Sequence, residues 1–119
     1  MKDLLESINK SMFANIDFDE VLDSRDISDF DTEWVRVDSD IEKMKQEKGY
    51  TEEQKLRNHD IREQVYLKVY ELCQDGELAG YISDDFGLIA DSEYFCYKDE
   101  WLNKMISCYK QSTIPCGKL

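Results

Sequence analysis

TEEQKLRNHDIREQVYLKVYELCQDG, residues 51–76, decides how the rest of the chain is read. Thr51 followed by Gln54 forms a capping box, in which the hydroxyl accepts from the backbone N–H three residues on and the longer side chain reaches back. Ile61, Val65, Val69 and Leu72 then recur every three or four residues with Cys73 beside them, which is one stripe of an α-helix. Asp75-Gly76 closes it. A helix that is apolar along one seam and charged elsewhere has to lay that seam against other helices.

Working outward toward the C-terminus, Leu78, Ile82, Phe86 and Ile89 lie near one face of a helix over 77–93. Gly80, Ser83, Gly87 and Ala90 run beside them as a row of small side chains. Such a row admits a neighbouring helix closely, which offsets the roughly 1 kcal/mol of helix propensity that each Gly gives up. The last helix begins near Asp99, carries Trp101, Leu102, Met105, Ile106 and Tyr109 as its buried stripe, and must end before Ile114-Pro115. Toward the N-terminus, Trp34, Val37, Ile41 and Met44 predict a helix from Thr32, with Gly49 placed to end it. Residues 24–31 read as a loop anchored by Ile27 and Phe30. Asp17 with Glu20 resembles a capping box for a short helix carrying Phe18, Val21 and Leu22, and Leu4, Leu5, Ile8 and Met12 predict a first helix over 3–13. The expected fold class is all-α: one domain, residues 1–119, formed as a single irregular bundle of five or six helices.

The composition agrees. With 41% hydrophobic residues, one Pro and five Gly in 119 residues, the chain has enough apolar material for a real core, and a radius of gyration of about 13–14 Å is expected. Residues 1–6 carry acids where a secretory signal needs an apolar run, and no stretch approaches the roughly 18 apolar residues of a membrane span. The expectation is therefore a cytoplasmic protein without membrane contact. In that compartment Cys73, Cys96, Cys108 and Cys116 stay reduced, and their spacings, with the lone His59, fit no zinc site.

Net charge is −12, and it is concentrated. Residues 15–42 hold eleven acids against Arg25 and Arg36, a net −9; residues 71–93 hold seven acids and no Lys or Arg, a net −7; the remainder is +4. Fields of this sign repel nucleic-acid phosphates and draw in a basic partner. Within the two blocks, Asp17, Asp19, Glu20, Asp23, Asp26, Asp29, Asp31, Asp84 and Asp85 are the candidate contact residues.

Catalytic or metal chemistry finds little footing. His59 with Glu63 one turn on has the outline of an oriented base, but no nucleophile is placed beside it, and a solvated helix face explains both residues. A calcium loop starting at Asp29 would put Trp34 where the turn demands Gly. Asp84 and Asp85 are neighbours on a helix, so their side chains diverge by about 100° rather than sharing a site. No cofactor motif is present: there is no Gly-rich phosphate loop, HExxH or GxSxG. Tyr66 and Tyr70, beside the Val65/Val69 seam, read as core edge, although aromatics left exposed near acids would suit a protein interface.

The stretch GYISDDFGLIA (80–90), followed by Trp101-Leu102-Asn103 and then Tyr109 through Ile114-Pro115, resembles small acidic helical proteins encoded beside polymorphic toxins. The resemblance is especially to immunity proteins of contact-dependent growth inhibition systems, over roughly Ile61 to Pro115. The resemblance implies a protein without catalytic residues or cofactor. Such a protein binds the toxin domain of its own system, often a nuclease with a basic site, and blocks it stoichiometrically in the cytosol. The resemblance leaves contact residues unassigned, and Ser83 or Asp84 can equally bond backbone groups within their own helix. A nucleic-acid mimic and an acidic regulatory or adaptor domain remain as other readings of the charge.

Overall fold

The computed structural model describes residues 1–26 and 29–119. Among them are six α-helices: α1 (Lys2–Glu6), α2 (Phe18–Asp26), α3 (Asp29–Lys48), α4 (Glu52–Cys73), α5 (Gly76–Tyr94) and α6 (Glu100–Lys110), with a 3₁₀ turn at Lys10–Phe13. The chain is all-α, with no strand among the described residues. Its radius of gyration is 13.9 Å, as expected for this length. Among the described residues no helix is long and apolar enough to cross a membrane.

The Thr51 cap read from sequence is in place, and two more appear that the sequence reading does not give as caps: Asp75, read as closing the preceding helix, starts α5, and Asp99 caps α6. The Thr51 hydroxyl accepts from Gln54 N–H at 3.1 Å, Asp75 accepts from Leu78 N–H at 3.0 Å, and Asp99 from Leu102 N–H at 2.9 Å. Each satisfies one of the N–H groups that a helix start leaves without an intrahelical acceptor. Two boundaries differ from expectation. The first helix does not run over 3–13; it stops at Glu6 and a 3₁₀ turn follows. Ser7 Oγ donates to Leu4 O at 2.6 Å, and the Asn9 side chain accepts from Ser11 N–H at 3.0 Å, so both side chains compete with the helical pattern. Leu4, Ile8 and Met12 are buried nonetheless. Nor is 24–31 a loop throughout, because α2 extends to Asp26 and α3 already includes Asp29. Acids at Asp29 and Asp31 in the first turn of α3 favour that early start through the helix dipole. Phe30 is an anchor as expected, being buried; Ile27 lies outside the described residues.

α5 is the central element. Between Ile82 and Ser92 every residue except Asp84 is buried, so the helix is covered on nearly all sides. It runs antiparallel to α4, with Tyr66 near Gly76, Asn58 near Gly87, and Gln54 near Asp91. The row of small residues serves this packing unevenly. A Cβ on Gly87 would meet Arg62 Cδ at 2.7 Å, whereas a Cβ on Gly80 would meet nothing within 4 Å. Ser83 donates its hydroxyl to Gly80 O at 2.9 Å, the local backbone bond considered for it. The stripe of α4 continues below Ile61 as buried Asn58 and Gln54, polar residues that donate to Gly87 O and Asp91 respectively. Tyr66 and Tyr70 are not core edge; they stand exposed on α4 as a parallel stack with centroids 6.2 Å apart.

Candidate functional site

Asp85 is fully buried at the junction of four helices. Arg25 of α2 donates to both its oxygens, at 2.8 and 2.7 Å; Trp34 Nε1 of α3 donates at 2.9 Å; Tyr109 of α6 donates its hydroxyl to the same carboxylate. Arg25 also donates to Pro115 O at 3.1 Å, which ties the C-terminal segment to α2. Burial alone would lower the Arg25 pKa, but the facing Asp85 more than reverses this and the guanidinium is held charged. Burial, with Asp85 adding to it, pushes the Tyr109 hydroxyl well above its ordinary value. A buried, bidentate, fully engaged carboxylate of this kind holds elements in register. It has no surface to offer a partner, and Asp85 therefore leaves the set of candidate contact residues.

An open pocket of about 210 Å³ lies between α2, α3 and α5, beside this junction. Phe30, Trp34, Val35 and Tyr81 form its apolar walls, and Asp26, Asp31 and Asp84 stand around it. Arg25, already neutralised by Asp85, is the one cation lining it among the described residues. The walls are held in place. Trp34 is fixed through its bond to Asp85, and the Tyr81 hydroxyl donates to Asp26 at 2.5 Å. That bond, with some burial, pushes the Tyr81 pKa up to about 12. The Asp84 carboxyl is raised above the ordinary carboxylate value, first by partial burial and then by the neighbouring Asp85.

Trp34 and Asp84 also border a second hollow of about 230 Å³ between α3, α4 and α5. There Asp91 accepts from Tyr50 at 2.7 Å and Gln54 at 3.3 Å and pairs with Lys45 at 3.3 Å. A larger hollow of about 590 Å³ at the α3–α6 side contains Asp29, Glu33, Arg36, Asp99 and Lys104. Its charges are mixed, and Arg36 bridges Asp99 and Glu33 at 2.9 Å each.

The two acidic blocks therefore have different fates. In the first, Asp17, Asp19, Glu20, Asp23, Asp26, Asp29 and Asp31 are all exposed. Asp17 caps α2 through Glu20 N–H at 3.2 Å, and Asp19, Asp23 and Asp26, spaced four and three apart, share one face of that helix. Asp26 and Asp31 reach the aromatic pocket, while Asp29 belongs to the mixed-charge hollow. The second block is not one patch: Asp75 is a cap, Asp85 and Asp91 are buried, and Asp84 is the residue that joins the surface of the first. The sequence reading missed the apolar half of the pocket, Val35 and Tyr81 above all, and the role of Arg25. Its one sequence signal is the spacing of three from Leu22, which puts both on the buried side of α2.

His59 is exposed and pairs with Glu63 at 3.6 Å. All four cysteines are free thiols, with Cys96 exposed and the rest half-buried. Among the described residues no cluster of His, Cys, Asp and Glu has the arrangement of a metal site. The pocket combines apolar ring walls with three carboxylates. Comparison with curated proteins and with solved structures finds no match. Residues 2–116, nearly the whole chain and both acidic blocks, match the family described as Immunity protein PIM1, and the chain belongs to that family.

Proposed function

We propose that the chain neutralises a cognate toxin domain by stoichiometric binding, and that it does so with the acidic face of α2, the start of α3 and Asp84. The family supplies the immunity function and a toxin as partner. The observation that supports this face is the convergence of Asp26, Asp31 and Asp84 on a pocket with aromatic walls, where Arg25, the one lining cation among the described residues, is internally paired. Carboxylates left unpaired at a surface, beside exposed apolar groups, favour a basic polypeptide over water. A nuclease toxin meets that description, since it must carry cations to bind phosphates. A contact-dependent growth inhibition system, met in the cytoplasm, is the setting in which the chain would act. The mimicry of nucleic acid is less well supported, because Arg36, Lys45 and Lys104 interrupt the acids on the neighbouring faces.

The test is co-expression with the C-terminal toxin domain encoded by the adjacent gene, scored by growth. The native chain rescues growth. A variant with Asp26→Lys, Asp31→Lys and Asp84→Lys loses rescue while keeping its helical circular dichroism. Association of the purified pair slows steeply as salt rises. Full rescue by the triple variant would remove this face from the interface.

A further inference from the structure

We infer that the pocket between α2, α3 and α5 is a socket for a single arginine side chain of the partner. This rests on reading the same face as partner-facing, and adds what the face receives. The volume of about 210 Å³ falls below the roughly 300–1,000 Å³ of small-molecule sites and matches one long side chain. Trp34 and Tyr81, both half-buried, offer ring surface, Val35, half exposed at 51%, offers an aliphatic edge, and buried Phe30 lies behind them. Aromatic faces attract a cation, more strongly as water is excluded. Three carboxylates line it, and Arg25, the one lining cation among the described residues, has its charge answered by Asp85.

The choice of guanidinium over ammonium follows from the chain's own example. The Arg25 guanidinium lies 4.4 Å from the centroid of Phe30 and 5.3 Å from that of Tyr81, so these rings already hold one planar cation. A flat, weakly hydrated guanidinium stacks and forks to carboxylates; a compact ammonium keeps its water. Because Trp34 and Tyr81 are fixed by hydrogen bonds before any partner arrives, little side-chain entropy is lost on filling the pocket. Anchors of this type, one Arg in a rigid aromatic pocket, concentrate binding energy at interfaces.

The test is titration of the isotope-labelled chain with Nα-acetyl-arginine amide, followed on the indole N–H signals of its two tryptophans. Trp34 borders both this pocket and the α3–α4–α5 hollow, so Asp31→Asn alone, which touches only this pocket, must weaken the Trp34 response for it to report the socket; Trp101, which lines the mixed-charge hollow, is the internal control. The Trp34 signal is expected to move saturably while Trp101 stays. Nα-acetyl-citrulline amide, of the same shape without charge, binds at least about tenfold more weakly, as does the arginine probe to a variant with Asp31→Asn and Asp84→Asn; tenfold is about 1.4 kcal/mol. The lysine analogue falls between. No Trp34 response, an equal response to citrulline, or a response at Trp101 instead would overturn the socket. Since the probe contains no toxin, such a result leaves the growth-rescue reading standing. Failed rescue with intact arginine binding would remove the toxin reading and keep the socket.

Discussion

Asp85→Asn should be the most damaging single change on α5 that leaves the volume of its side chain unaltered. Asp85 is fully buried, and Arg25, at 5% exposure, faces it with two hydrogen bonds. The amide removes the countercharge and turns a donor toward the guanidinium, leaving a cation in the interior with no answering charge. Breaking a buried pair from one side costs about 3–5 kcal/mol. Native stability for a domain of this size is roughly 5–15 kcal/mol, so the variant sits near the folding threshold. At about 4 °C per kcal/mol, the midpoint of thermal unfolding drops by about 12–20 °C. Urea unfolding followed by circular dichroism gives the same quantity independently. Replacing both partners, Arg25→Met with Asp85→Leu, is expected to cost less than Asp85→Asn alone, because no unpaired charge remains. A loss below about 1 kcal/mol for Asp85→Asn, or a double variant worse than the single, would refute the account of this junction.

Three further outcomes follow from the same coordinates. Gly80→Ala raises stability by about 0.5–1 kcal/mol through helix propensity, because its Cβ meets open space; Gly87→Ala does not, because its Cβ pushes on Arg62 and strains the bond from Arg62 Nε to Asn58. Equal changes in urea midpoint would show that α4 yields freely at Gly87. Asp99 is pushed up by burial but pulled further down by Arg36 and by the backbone N–H groups of α6, so its folded value lies below its unfolded one. The stability it contributes is present above about pH 4 and is lost as pH falls through the folded value, and Asp99→Asn flattens the acid limb of a stability–pH curve. Asp84 is shifted the other way by partial burial and the neighbouring Asp85, so Asp84→Asn does not lower stability at pH 7, and any gain disappears once the native carboxyl is protonated. A fall in thermal midpoint at pH 7 for Asp84→Asn would contradict that sign.

Helix starts were legible because a cap is a local device. Thr51 and Asp17 bond N–H groups three residues away, and no tertiary information is needed to recognise them; Asp75 and Asp99 do the same, but the sequence reading gives them only as marking an end and a start. The seams were legible for the same reason: Val37 and Ile41, Val65 and Val69, and Trp101 with Met105 are buried where the helical period put them. The first helix was misread because Ser7 and Asn9 divert the backbone, and the start of α3 because acids at Asp29 and Asp31 read as loop composition rather than as a favourable first turn.

The sequence by itself determined a helical chain with an acidic surface and no catalytic grouping that stood out, and the order and approximate ends of most helices. Only the tertiary structure decided which acid does what. Asp84 and Asp85 are adjacent and chemically identical, yet one lies at the mouth of a pocket and the other is buried in an ion pair with a residue sixty positions away. The physical reason is range. Propensity, capping and amphipathic period act over a few residues and are written in the local string. The environment of a carboxylate depends on which distant cation and which rings the packing brings within a few ångströms of it. Arg25, Phe30, Trp34 and Tyr81 meet around one pocket only after α2, α3 and α5 have packed together.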